Sequence, residues 1–500
     1  MEIVVLSVRN VFLSSLAVLF TSSLLSSQAS AATYYIDYAG GLDSNSGTSM
    51  ASPWRLAPGM QGFTRSYSHQ NGDIFIFKGG VTWPSTVYPW IIKNGGGSGS
   101  PDIYTTNHSW FSGGSFTQPI FDDGSSHPGA TGMLNVNGLG YLTFNDLTFT
   151  KCGAPQVADS DKCLVFQNTN DITLSNNTFT TYNWIAVYFV FADGANHSNF
   201  TFTGNDWSHT SGAIWFASAA ANTAMHNITY TNNVFHDYSS QIGGGVHGDG
   251  AWHYFAVPAN DSTQYIDGVN FSSNRFYGDF TRSYGTDGAM TGFFFVEGSM
   301  TGIIANNDMT FAPAQANMFQ GLIVLFGRGN THPMSIGIYN NSLANIGTNA
   351  MSAGVDISSG AFNVTLKNNI IYGMSYPIYV EDPAGSGTSF VSDYNLLSSG
   401  SGQLVWGGSF QSYSQWKASG RDTHGVLGVN PGWVSAPTNQ HLTLGSPAIA
   451  AGTNLNLLML SLDKDGISRP SSTAWDMGAY QFLGTVTTAL PPTGLTATAQ

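Results

Sequence analysis

The sequence predicts an all-β protein wound as a parallel β-helix, a β-solenoid of stacked coils, and three observations carry that prediction. The first is a phrase that recurs down the middle of the chain: an apolar β-run, then Asn-Asn or a close variant, then an apolar residue. It appears at Ser175 to Phe179, Gly204 to Trp207, Thr231 to Phe235, Ser272 to Phe276, Ala305 to Met309, Tyr339 to Leu343 and Lys367 to Ile371. With the second polar position as ruler (Asn177, Asp206, Asn233, Asn274, Asn307, Asn341, Asn369), the steps are 29, 27, 41, 33, 34 and 28 residues. Self-similar β-rich units of this length cannot bury their apolar faces alone and stack on their neighbours. The asparagine recurs because its side chain can bond backbone in a tight turn and tolerates the left-handed region, so stacked coils set Asn over Asn in a ladder.

The second observation is composition. Only 9% of the 500 residues are charged, glycine reaches 59, and 42% are hydrophobic, enough for a core and too much for disorder. The third is the run that follows each Asn turn: 163–167, 186–191, 213–218, 250–257, 292–297, 321–326 and 376–381. These runs are short and continuously apolar, as expected of parallel strands in a packed stack, and they are the strands expected to line a lateral groove.

The opening, YYIDYAGGLDSNSGTSMASPWRLAPGM from Tyr34 and GDIFIFKGG at Gly72 to Gly80, is similar to the start of many secreted right-handed parallel β-helix proteins of the pectate-lyase-like superfamily. GSPAIAAGT at Gly445 to Thr453, DKDGISRP at Asp463 to Pro470 and AWDMGAYQF at Ala474 to Phe482 resemble the closing coils and C-terminal cap of the same proteins. The resemblance implies one right-handed parallel β-helix domain with capped ends over residues 32–482. It leaves the reaction open, because that superfamily hosts lyases, hydrolases, epimerases and adhesive modules.

Residues 1–31 read as a signal peptide: Arg9 supplies positive charge, Val11 to Leu25 the apolar stretch, and Ala29-Ser30-Ala31 a small-residue cleavage site. The expected product is secreted, without a membrane span, and a monomer. Residues 483–500 read as a Thr/Pro-rich linker or the beginning of a fibronectin type III-like module. The net charge of −14, with 15 Lys plus Arg, excludes the basic stripe that a nucleic-acid partner would need. Export permits a disulfide between the only two cysteines, Cys152 and Cys163; a pair of buried thiols is the alternative.

Loops are where a solenoid can be lengthened, so the 41-residue step between Asn233 and Asn274 is the first place to look for chemistry. A two-residue period there puts His247, Asp249, Ala251 and His253 on one strand face. Aligning Asp249-Gly250-Ala251 with Asp287-Gly288-Ala289 stacks Asp249 on Asp287, roughly 5 Å apart at the backbone, while the preceding coil has Ser211-Gly212-Ala213 at that place. Two carboxylates that close suit an acid and a base or nucleophile for glycosidic cleavage, with His247 or His253 tuning protonation. They equally suit Ca²⁺, an oxygen-seeking ion, and Asp-Gly is also a common turn dipeptide. Hydrolases of the superfamily use clustered Asp with a nearby His, which Asp249, Asp287 and His247 resemble. The fuller signature, adjacent Asp residues with Gly-His-Gly and a later Arg-x-Lys, is missing here at the expected coils. Trp215, Trp252 and Tyr254 are candidates to stack on sugar rings, and Glu297 and Arg328 to bind substrate. The expected function is cleavage of a possibly acidic polysaccharide by glycoside hydrolysis. A Ca²⁺-assisted lyase acting on uronates and a non-catalytic glycan-binding or adhesion module are the alternatives.

Overall fold

A computed structural model describes residues 30–484, apart from 127–130, 154–161, 183, 211, 238, 241–250, 258–260, 262, 279–281, 284–288, 312–316, 319, 328–333, 347–352, 359, 361, 384–388 and 437. The described chain forms a parallel β-helix. Three sheets of 12 strands each run its length, and the chain visits them in a fixed rotation. In one coil Asn170–Ser175 lies in sheet I, Thr178–Tyr182 in sheet III and Ile185–Phe191 in sheet II, and His197–Thr203 returns to sheet I. Every neighbouring pair along these sheets is parallel except the last pair of sheet II, where Gln403–Trp406 and Ser409–Ser412 form an antiparallel hairpin.

Inward positions stack with like on like. Along sheet III the rings of Phe121, Phe149, Phe179, Trp207, Phe235 and Phe276 follow one another with centroids 5.2, 5.3, 3.9, 6.0 and 4.6 Å apart. Phe166, Phe189 and Phe216 do the same beneath sheet II, at 4.8 and 4.5 Å. Burying such rings contributes their full apolar area to folding, with offset stacking as a smaller addition.

The Asn repeat has a division of labour that explains its two polar positions. The first takes a left-handed backbone at the corner between sheets I and III: Asn176, Asn232, Asn306, Asn340 and Asn368 have φ between 52° and 61°, and Gly204 takes the position at 65°. The second points inward and builds the ladder. Asn307 is typical: its backbone N–H and its Nδ2 both donate to Asn341 Oδ1 (3.0 and 2.9 Å), and Nδ2 also donates to the Phe271 carbonyl (3.0 Å). The ladder runs Asn177, Asn205, Asn233, Asn274, Asn307, Asn341, Asn369 and Asn395, and ends on the Asp422 carboxyl, which accepts from Asn395 Nδ2 at 2.9 Å. Asp206, assigned to this row from the sequence, does not belong to it. Asn205 does, because Asp206 pairs with Thr178, one residue past the ladder position, and faces outward to accept from His236 Nε2 at 3.0 Å.

At the N-terminal end Trp54 closes the core, with its ring 4.4 Å from that of Tyr34. At the other end the hairpin leads into a helix, Tyr413–Ala418, which buries Trp416 and aims its Nε1 at Asp422 (2.9 Å). The segments resembling closing coils behave differently from that expectation: they do not extend the stack but run back along its flank. Thr453 accepts from Asn368 Nδ2 (2.8 Å), Asp476 from Asn340 Nδ2 (3.1 Å), and Arg469 donates to Asn306 Oδ1 (2.9 Å). Tyr480 donates to the buried Asp308 at 2.7 Å. This strap is held because outward-facing Asn side chains on successive coils offer it polar partners, while Leu460 and Trp475 pack on Ile303 and Tyr339.

Candidate functional site

Sheet II contains all seven runs expected to line a groove, and its outer face gathers the chemistry. Register fixes two outward columns. One is Val165, Tyr188, Trp215, Tyr254, Phe295, Val324, Asp356, Tyr379; the other, two residues further along each strand, includes Gln167, Val190, Ala217, Ala256, Glu297, Phe326 and Ser358. Neighbouring members of a column stand roughly 4.8 Å apart. Three residues singled out from the sequence thus meet on one face: Trp215, Tyr254 and Glu297. Tyr254 donates its hydroxyl to Glu297 Oε2, stacks on Phe295 at 4.9 Å and meets Trp215 edge-on at 4.9 Å. Trp215 lies over Gly212, where an added Cβ would stand 2.7 Å from the indole nitrogen, and packs against Trp184. Lys162 lies over the rings of Trp184 and Tyr188, 5.3 and 4.8 Å from their centroids.

Residues of this face that point away from the core are nevertheless buried. Phe295, Val324, Glu297 and Asp356 retain 6%, 0%, 9% and 6% of their exposure. On the side where chain passes from sheet III to sheet II, short strands pair outside the three sheets: Ser239–Ser240 with Arg282–Ser283, and Ala289–Met290 with Asn317–Met318.

Asp356 is the residue that reading the sequence missed. It sits in Ala353–Ser358, a strand whose neighbours in the sheet are apolar, and its Oδ1 accepts from Ser358 Oγ at 2.6 Å. Burial pushes its pKa up to about 6; the Ser358 bond pulls the other way, and the Glu381 carboxylate, one coil on, adds to the rise. The available signal was an acid inside an otherwise apolar run, AGVDIS, which carries no aromatic residue to draw notice.

The other predicted residues part company. His253 does not face the groove. Strand Ala251–Ala256 turns it inward, fully buried with the ring centroids of Tyr230, Phe235 and Phe271 4.5–4.8 Å away, and both ring nitrogens lack a partner among the described residues. The fourth ring, Phe276, is 6.0 Å away. Burial holds its pKa well below the usual value, so it stays neutral in the core. The cause is parity: the face shared by odd-numbered residues of this strand is the inner one. Trp252 belongs to the same strand by its backbone. Ala251 pairs with Gly292 rather than with the Ala289 of the second Asp-Gly-Ala, and with Gly212 on the other side by the Ile214–His253 pairing, while the stacking of Asp249 on Asp287 itself falls outside the described residues. His247, Asp249, Asp287 and Arg328 lie outside the described residues. Among the described residues no group of three or more His, Cys, Asp or Glu is placed to hold a metal ion. Cys152 and Cys163 are joined by a disulfide, Cα atoms 5.3 Å apart, which ties the end of a sheet III strand to the start of the next sheet II strand.

The fold defines a class, the parallel β-helix proteins, and solved structures of that shape resemble it at low identity. Pectate lyase Pel9A aligns with a TM-score of 0.43 and 15% identity over 91% of this chain and 97% of that one. XylC in complex with xylose aligns at 0.42 and 9% over 90% and 98%, and a rhamnogalacturonan lyase at 0.37 and 12% over 81% and 91%. No protein-family model matches the chain, and no curated protein does.

Proposed function

We propose that this chain binds a polysaccharide along the outer face of sheet II and cleaves it by glycoside hydrolysis, with Asp356 as the proton donor. One observation carries the reading: a buried carboxyl group on the outer face of sheet II, with its pKa raised to about 6, with Glu381 one strand on and Glu297 two strands before it. Paired acids whose surroundings separate their proton affinities are what glycosidic cleavage needs. Asp356 gives its proton to the departing glycosidic oxygen as the C1–O bond breaks. Water adds at C1, and its proton passes to a flanking carboxylate. Tyr254, bonded to Glu297, fixes the orientation of that acid. Export is part of the proposal: residues 1–31 are a leader, and mass analysis of the secreted protein should give a start near Ala32.

The test is incubation with plant, algal and host polysaccharides, scored by new reducing ends and by absorbance of unsaturated uronates. Hydrolysis gives the first signal without the second; lyase chemistry gives both. Asp356→Asn should remove the activity, at a cost of roughly 10²–10⁴ in rate. Retained activity in that variant, with loss in Asp249→Asn or Asp287→Asn, would move the centre to those aspartates. Loss of activity on chelation would favour the Ca²⁺ reading of the same pair.

A further inference from the structure

We propose that a pocket between the C-terminal strap and the coil corner at Tyr394 binds one sugar unit, at a corner between sheets I and III that sheet II does not share. A break in the Asn repeat carries the proposal. Asn306, Asn340 and Asn368 hold successive corners of this edge, and each bonds the strap. The next corner in register is Tyr394, since Lys367 pairs with Asp393 and Asn369 bonds Asn395. Tyr394 keeps the left-handed backbone of the row, φ 58°, which asparagine tolerates and an aromatic residue adopts at a cost. At this corner lies a pocket of about 270 Å³, lined by Tyr394 and, from the strap, by Thr453, Asn454, Ser472, Thr473 and Ala474. Ser472, Thr473 and Ala474 are exposed, so the pocket opens to solvent.

Its walls are set in advance. The Gly452 N–H donates to the Trp475 carbonyl at 2.8 Å, and Asn454 Nδ2 donates to the Ser471 carbonyl at 2.8 Å, which ties the two strap segments together. One face of the Tyr394 ring is held by His424, with centroids 4.6 Å and planes 8° apart. Asp393 in turn holds His424, accepting from its backbone N–H at 2.9 Å and from Nδ1 at 2.8 Å. Walls already ordered spare a ligand that cost. The volume falls just below the ~300–1,000 Å³ of sites for drug-sized ligands, which suits a single sugar ring rather than a chain. An aromatic ring takes the C–H face of a pyranose, and the hydroxyls of Thr453, Ser472 and Thr473 can exchange hydrogen bonds with its rim. The same unit is offered by a free monosaccharide and by the end of an oligosaccharide.

The test titrates native protein and two variants, by calorimetry and saturation-transfer NMR, with glucose, galactose, mannose, xylose and N-acetylglucosamine and with short oligosaccharides of each. At least one monosaccharide should bind with a Kd on the order of millimolar. Tyr394→Asn restores the residue of the preceding corners, so it should weaken binding roughly tenfold or more with Tm unchanged or raised. Ala474→Phe fills the pocket and should weaken binding likewise. Oligosaccharides that bind and share both losses would support the proposal with a chain end as the ligand; oligosaccharides that do not bind would support it with the free sugar. Absence of binding by every sugar, or binding that neither variant weakens, overturns the proposal. Asp356→Asn should leave these affinities unchanged, which separates a failure here from a failure of the cleaving role on sheet II; sugar binding lost in that variant and kept in the other two overturns the proposal as well.

Discussion

Replacing Asp356 by asparagine should stabilise the protein at neutral pH while destroying its activity, and the size of the gain follows from its surroundings. The carboxyl has an ordinary value of 3.8 and is raised to about 6 in the fold. Because the folded state holds the proton more tightly, the stability contributed by protonation is full below about pH 3.8 and is lost as pH rises through about 6. A separation of that size corresponds to about 3 kcal/mol. Asparagine has nearly the shape of the protonated acid and never charges, so it escapes the loss. For a domain this large, with an unfolding entropy of roughly 1 kcal/mol per kelvin, the gain is about 3 °C in Tm. Scanning calorimetry of both proteins from pH 4 to pH 8 tests it. The difference should be near zero at pH 4, grow through pH 5 to 6 and level off above 7. A difference independent of pH, or native protein more stable at pH 8, would refute the reasoning that the buried carboxyl holds a proton. The rate in the native protein should fall above about pH 6, approaching tenfold per pH unit, as the donor empties.

Other consequences are as direct. Asn307→Ala cuts the ladder and strands Asn274's two donors and the Phe271 carbonyl, costing about 3–5 kcal/mol, readable as a lowered Tm and faster proteolysis. His253→Phe replaces a ring with two orphaned nitrogens by one of similar volume that needs none, so stability should rise by about 1–2 kcal/mol with activity unchanged; an abolished activity would return His253 to the site. Unreduced, denatured protein should show no thiol reactivity, and Cys152→Ser with Cys163→Ser should lower stability by about 2–3 kcal/mol.

The architecture was legible because it is periodic. Each coil repeats the Asn corner for the same local reason, a left-handed residue followed by an inward amide, so seven copies of one signal reinforce each other. The groove sheet was legible too, since strands buried on both sides must be continuously apolar. Register was not. A polar pair such as Asn205-Asp206 can be read one place out, and a repeated Asp-Gly-Ala invites an alignment that hydrogen bonding does not follow. Facing was lost in the same way: whether His253 looks in or out depends on a parity set by neighbouring strands rather than by its own neighbours in sequence. Asp356 escaped notice because nothing local distinguishes an acid on a sheltered outer face from one on an exposed turn. Its character comes from neighbouring coils more than 20 residues away.

The C-terminal strap alters how this molecule can evolve. A plain solenoid can gain or lose a turn at any point and reseal. Here Asn306, Asn340 and Asn368 are each moored to a particular place on one returning stretch of chain, so the spacing of those three turns is set by a ruler laid beside them. Duplication or deletion within that span would leave the moorings mismatched. One turn earlier, Arg275 is moored to the same returning chain, donating from its guanidinium to the Thr438 carbonyl at 2.8 Å, so the ruler reaches back to that turn as well.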